Sequence, residues 1–298
     1  MSMESVTNHY STLFSDMMHI KAQQKNSRFR PLVEEREINN ADDMAYDGLG
    51  QVEAREITAR FSAIQFDNID HTRRRISCQR FSVVLPMDKN DTERKLGDLK
   101  GQYATAALRA MERVYDKVAY AALFADVLTG RDFTNTLTAT NDGVLTVDAT
   151  GGLDLGKLLK LKQNFLDREV SIEDDIPVAV GISGDEHTTL LQLEKLTSRD
   201  YAANMQLERG RLRSAVGLDF ILFGASVANP LLTVTGGVRK CFALAKGGVV
   251  MGIKRRWEVK LQERTDLHDT EQLVITGEVG GTRTDGNLVQ ILTVTDAA

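Results

Sequence analysis

Two stretches of this chain hold side chains at spacings that could do chemistry. Gly151-Gly-Leu-Asp-Leu-Gly156-Lys157 has the spacing of a phosphate-binding loop, in which backbone amides and a lysine cradle a nucleotide. The next position should be Ser or Thr to hold magnesium, and it is Leu158; Asp154 would also set a carboxylate inside the cradle. A glycine turn capping the following helix explains these residues better. Ile182-Ser183-Gly184-Asp185-Glu186-His187 gathers a serine, two acids and a histidine, the parts of a serine hydrolase. A nucleophile elbow needs Gly-x-Ser-x-Gly, and Asp185 stands where the last glycine belongs. Side chains this close in sequence seldom face one another as a triad. Ser183 or Asp185 reads instead as the cap of a helix starting near Glu186. His9, His19, His71, His187 and His268 are scattered without zinc-ligand spacing, and Cys78 and Cys241 lie far apart. Neither a metal, a cofactor nor a disulfide framework is expected, and the chain does not read as an enzyme.

Composition narrows the classes further. The 298 residues are 42% apolar and 27% charged, enough for a sizeable core, and the net charge of −5 excludes a globally basic nucleic-acid binder. The start, MSMESVTNHYST, lacks the basic and apolar regions of a signal peptide. The longest uncharged run, Phe220–Val238, is broken by Asn229, Pro230 and paired glycines, so no membrane span is expected.

The elements that must position these residues follow from periodicity. Residues 3–25 carry Val6, Tyr10, Leu13, Met17 and Ile20 at helical spacing. They read either as an amphipathic helix over a core or as an arm lying on a neighbouring subunit, and the polar segment Gln23–Asn40 favours the arm. Asp47–Gly50 reads as a turn or joint. Glu56–Asp67 and Arg74–Leu85 alternate as two strands of a long β-excursion joined by Asn68–Thr72, with Pro86 ending the second. An isolated hairpin is marginal in water, so the excursion must pack on something, such as another chain. After Asp91 a helical pattern runs to Leu128 along Leu96, Leu99, Tyr103, Ala107, Ala110, Val114, Val118 and Ala122. A second helix is expected over Leu153–Val170, a buried strand over Ile176–Ile182 and a helix over Thr188–Leu196. A charged loop is expected at 197–216. Strands are expected at Val144–Val147, Leu218–Phe223, Cys241–Ala245, Gly248–Ile253, Val259–Arg264, Glu271–Glu278 and Leu288–Val294. The order lacks regular βαβ alternation, which makes the class α+β.

Arg73, Arg74 and Arg75, with Arg60 and Arg80 near by, give the excursion a positive face. They read as a solvated charge run at a turn, or as forks for inter-subunit pairing with acids at Glu34, Glu35, Glu37, Asp42 and Asp43. DNA contact is weaker, since no aromatic residue interrupts the basic run.

Taken in order, the elements resemble the major capsid protein of tailed bacteriophages. The resemblance rests on the arm, excursion and long alanine-rich helix, and most specifically on PVAVGISGDEHTTLLQLEKLTSRDY followed by ERGRLRSAVGLDFILFG. The closing CFALAKGGVVMGIKRRWEVKLQERTD is also similar. It implies an N-terminal arm (1–40), an extended β-loop (41–88), a peripheral domain with a spine helix (89–175), an axial domain (176–250) and C-terminal strands returning to the peripheral domain (251–298). It also implies a coat subunit forming hexamers and pentamers of an icosahedral head around double-stranded DNA, assembled in the host cytoplasm. Its partners would be itself, scaffolding and portal proteins, a decoration protein and non-specifically held DNA. Segment 197–216 would then lie at a symmetry axis, with Arg199, Asp200, Arg209 and Arg211 in contact with their copies. Some members cross-link through a lysine on the extended loop. No lysine lies between Lys25 and Lys89 here, so a non-covalent shell is expected. The competing readings are a cellular nanocompartment shell of the same fold, a hydrolase using Ser183 and His187, and a tail-tube subunit.

Overall fold

The computed structural model describes residues 23–39, 41–56, 66–87, 99–170, 176–193, 207–208, 211–224, 231–232, 234–264, 266 and 270–295. Its strands, in chain order, are β1 (Glu34–Glu37), β2 (Asp43–Leu49), β3 (His71–Ser77), β4 (Gln79–Met87), β5 (Val127–Thr129), β6 (Asn135–Leu137), β7 (Leu145–Thr150), β8 (Val178–Ile182), β9 (Leu207–Glu208), β10 (Arg211–Leu212), β11 (Ser214–Ala215), β12 (Leu218–Leu222), β13 (Val234–Thr235), β14 (Val238–Ala245), β15 (Val249–Arg264), β16 (Thr270–Arg283) and β17 (Val289–Thr295). The helices are α1 (Leu99–Phe124), α2 (Leu155–Leu166) and α3 (Gly184–Gln192), with a 3₁₀ turn at Gly286–Leu288. The class is α+β, as expected.

The chain divides into two compact units. One takes in the chain up to Asn26, Arg80–Val114 and Arg255–Gly277; the other takes in Ser27–Gln79, Tyr115–Lys254 and Glu278–Ala298. Strands β15 and β16 and helix α1 are each divided between them. The core of the first unit joins Met87, Ala107, Met111, Leu273 and Ile275, with Phe81, Val83, Leu85, Tyr103, Ala104 and Trp257 packed around them.

The second unit is built on a mixed sheet, β11-β12-β8-β14-β17-β7, with β13 added to β14. Strand β8 (VAVGI) is buried along its whole length between parallel β12 and antiparallel β14, so it reads as a continuous apolar run. Its Gly181 is required by packing: a Cβ there would lie 2.3 Å from the Phe242 ring. Phe242 stacks on Phe29 at 5.0 Å between centroids, and Phe29 also touches Phe223 at 5.3 Å. Each such pair contributes about 0.5–1.5 kcal/mol beyond area burial. Helix α2 buries Leu158, Leu161 and Phe165, one stripe of its surface, and Asp154 caps its N-terminus. A separate sheet, β2-β3-β5-β6, closes over Ile38, Ile76 and Val250.

Several expectations need correction. Asp47–Gly50 is not a joint, because Asp43–Leu49 pairs antiparallel with His71–Ser77 through Asp43↔Ser77 and Leu49↔His71. The partner of β3 therefore lies before the excursion, and Phe66–Asp70 carries no strand; residues 57–65 lie outside the described residues. The helix pattern to Leu128 stops at Phe124. Arg283 Nη1 donates to the carbonyls of Ala122, Leu123 and Ala125 at 3.4, 2.9 and 2.6 Å, satisfying orphan acceptors at the helix end with a cation. Leu128 then enters β5. The buried stripe of α1 runs through Ala107, Met111, Tyr115, Ala119, Ala122 and Leu123, while Ala110, Val114 and Val118 are only half-buried. The two strands expected at 248–253 and 259–264 are one, β15. The strand expected over Arg74–Leu85 is two, β3 and β4, and Pro86 lies within β4 rather than ending it. The short strands β1, β5, β6 and β13 were not anticipated, nor were β9, β10 and β11, which fall in the expected loop 197–216. The expected arm helix, 3–25, lies largely outside the described residues.

Candidate assembly site

Alternation along β3 sends its three arginines to two faces. Arg74 points inward and is buried. Its Nη2 and Nη1 donate to Asp142 Oδ1 and Oδ2 at 2.6 and 2.8 Å, a bidentate fork. The wholly buried Arg283 donates from Nε to the same Asp142 Oδ2 at 3.1 Å. Two guanidiniums thus share one carboxylate, and helix α1's terminal carbonyls take part of the surplus charge.

On the other face, Arg73 donates from Nε and Nη2 to Asp47 at 2.7 and 3.1 Å, directly across the β2–β3 ladder. Arg75 Nη2 donates to Asp43 at 2.5 Å. These hydrogen bonds hold both carboxyls below the usual aspartate range and raise both guanidiniums. Beyond these pairs the excursion exposes the large apolar side chains of Leu49 (73%), Val52 (52%), Phe66 (92%) and Ile69 (44%).

Of the acids expected to answer these arginines, Asp43 does so within the chain, on Arg75, while Glu34, Glu35 and Asp42 are engaged elsewhere. Glu34 accepts from Arg36 at 2.8 Å. Glu35 accepts from Arg30 at 3.2 Å and from the Tyr115 hydroxyl at 2.9 Å. Burial, and then the bond to Glu35, push that hydroxyl's pKa up. Asp42 pairs with Lys254 at 2.5 Å. Arg211 is exposed at the start of β10, opposite Glu208. Arg199, Asp200 and Arg209 lie outside the described residues.

The two chemistry-like motifs are spent on structure. Lys157 Nζ donates to the carbonyls of Thr150 and Gly152 at 2.8 and 2.5 Å, filling the loop that a phosphate would need. Ser183 caps α3 in a capping box with Glu186, and the Ser183 amide donates to Glu186 Oε2 at 2.8 Å. Buried Arg239 from β14 locks the cap, donating to Ser183 Oγ (2.5 Å), Glu186 (2.6 Å) and Asp185 (2.8 Å). His187 turns elsewhere: its Nε2 accepts from the Leu212 amide at 3.2 Å. Burial first, then Arg211, lowers its pKa, which keeps the imidazole neutral and able to accept.

Sequence reading missed Asp142, Arg283, Arg239 and Asp116. Asp116 is wholly buried on α1 and accepts from Ser27 Oγ (2.5 Å) and the amides of Arg28 (3.1 Å) and Phe29 (3.3 Å). Its one signal was an acid set beside an alanine-rich helical stripe.

The chain matches the family described as phage capsid protein over residues 6–295. It belongs to the phage capsid protein family. The coat protein's fold is also that of solved capsids at low identity. It matches the capsid of cyanophage P-SCSP1u with TM-score 0.73 at 11% identity, covering 98% of this chain and 94% of that one. The cyanophage Pam1 capsid matches with TM-score 0.70 at 13% identity, covering 98% of each chain. Mycobacterium phage Che8 matches with TM-score 0.68 at 16% identity, covering 94% of this chain and 96% of that one. No curated protein matches by sequence. A coat protein of this fold is a structural component of the phage head, and that role accounts for polar clusters built to hold the fold.

Proposed function

We propose that this coat protein assembles into hexamers and pentamers of an icosahedral head that encloses double-stranded DNA. The observation that carries the reading is the excursion between β2 and β3. It displays Leu49, Val52, Phe66 and Ile69 to solvent although a monomer gains nothing from doing so. A second subunit would bury that surface at about 25 cal/mol per Å². In this reading residues 1–40 are the arm, 41–88 the extended loop, 89–175 the peripheral domain, 176–250 the axial domain and 251–298 the returning strands. Arg73, Arg75 and Arg211 lie at subunit contacts with Arg199, Asp200 and Arg209, while Arg74, Glu34 and Glu35 support them from within the chain. Scaffolding, portal and decoration proteins are its partners, assembly takes place in the host cytoplasm, and the shell is non-covalent. The net charge of −5 suits a container whose DNA is neutralised by counterions rather than gripped by each subunit.

Negative-stain microscopy of the purified chain tests the proposal. Shells, or rings of five and six, are expected; a uniform population of monomers at high concentration contradicts it. An isopeptide-linked ladder from mature particles on a denaturing gel would contradict the non-covalent shell.

A further inference from the structure

The base of the excursion and its outer part carry opposite charges that make no ion pair among the described residues. At the base an open concavity of about 570 Å³ is lined by Asp47, His71, Arg73, Arg74, Thr129 and Arg131, among others. Arg73 is held by Asp47 and Arg74 by Asp142, so both are spent. Arg131 is different. It sits on the turn between β5 and β6, exposed, and makes no ion pair among the described residues. The turn holds it in place: the Gly130 amide donates to the Arg73 carbonyl at 3.2 Å and the Phe133 amide to the Gly130 carbonyl at 3.4 Å. Gly130 (φ 95°) and Phe133 (φ 54°) both adopt left-handed backbone, a cost a non-glycine residue bears where surroundings enforce it. With Arg73 paired to Asp47 and Arg74 to Asp142, Arg131 leaves the concavity one positive charge over, which makes it a site for an anion. On the outer part of the same excursion, Glu53 and Glu56 are exposed and make no ion pair among the described residues. They follow the exposed Val52, and Arg55 between them is paired with Asp67 at 2.8 Å.

We infer that the cationic concavity at the base of one subunit's excursion receives the Glu53–Glu56 segment of the next copy, with Arg131 as the guanidinium fork. This rests on the assembly reading above and names the contact that closes the ring. Base and outer segment are different surfaces of one chain, so the contact is heterologous and head-to-tail, the geometry that closes into rings. Arginine suits it because a planar fork binds a carboxylate bidentately.

Charge reversal and mixing test the inference. Arg131→Glu alone and the Glu53→Arg/Glu56→Arg pair alone should each reduce ring and shell formation at least tenfold by sedimentation velocity, with unchanged circular dichroism. The triple variant in one chain should restore wild-type assembly. An equimolar mixture of the two defective chains should form even-membered rings only, since an acidic base accepts a basic segment only from the other chain type. Five-membered rings cannot alternate. Wild-type assembly of R131E, or a folded triple variant and a mixture that both stay unassembled, would overturn it. If the wild-type chain itself forms no rings, the assembly reading fails, and the pairing is decided by titrating a peptide of residues 49–56 (LGQVEARE). Binding weakened at least tenfold by R131E keeps the contact, and equal or absent binding removes it.

Discussion

The two faces of β3 put the same residue type to opposite uses. Arg74 faces inward, where with Arg283 it converges on Asp142 in a buried cluster. Arg73 and Arg75, its neighbours, face outward and pair with Asp47 and Asp43 near solvent. A run of three arginines therefore marks neither a contact patch nor a solvated turn as a whole. Strand alternation divides it, and the divided parts differ in what their loss should cost. Removing one member of a buried ion cluster strands the others in low dielectric, whereas an exposed pair gives up little to water.

The largest expected effect comes from the inward face. Asp142→Ala would leave Arg74 and Arg283 buried without their shared carboxylate and should destabilise the second unit by about 3–5 kcal/mol, read as a lower denaturant midpoint. Glu186→Ala at the Arg239 cap removes a comparable buried partner and should give a drop of about the same order by the same measurement. An unchanged midpoint in either variant would erase the distinction between the faces.

An intermediate effect is expected where a titrating group holds a backbone amide. His187 has a folded pKa below its ordinary value, so its contribution is present above about pH 6.5 and lost as pH falls through the folded value. Hydrogen exchange at Leu212 should accelerate on acidification in the wild type, and His187→Gln should flatten that dependence.

The smallest effect on folding belongs to the outward face. Arg73→Gln and Arg75→Gln should leave the melting temperature unchanged. The depressed carboxyls of Asp43 and Asp47 give a contribution present above about pH 4, lost as pH falls through their folded values, and screened by salt. Thermal melts between pH 3 and 6 at low and high salt would show it. A cost as large as that of Asp142→Ala would sink the comparison.

Local patterns were legible in the chain, and distant partnerships were not. The buried run of β8, the Ser183 cap and helix α2 are encoded within a few residues, and periodicity and capping chemistry expose them. The order of elements was enough to suggest the capsid fold. The stop of α1 at Phe124 was not legible, because the guanidinium that caps it belongs to Arg283. The partner of β3 was missed for the same reason: Asp47-Gly48 is turn chemistry by composition, and only pairing across the excursion makes it a strand. The fate of Arg73–Arg75 depended on which face of β3 met Asp142, a residue that local reading leaves in a polar loop. Arg131 stands apart only because the charges of Arg73 and Arg74 beside it are taken by Asp47 and Asp142, pairings that lie far apart in sequence.

The central claim is that the excursion exists for contact between copies and not for the fold of its own chain. Sedimentation velocity of the wild type beside a variant in which residues 51–69 are replaced by a two-residue Asn-Gly turn between β2 and β3 tests it directly. The account predicts rings or shells from the wild type and a folded, cooperatively melting monomer from the shortened chain. A monomeric wild type, or a shortened chain that assembles equally well, would contradict it.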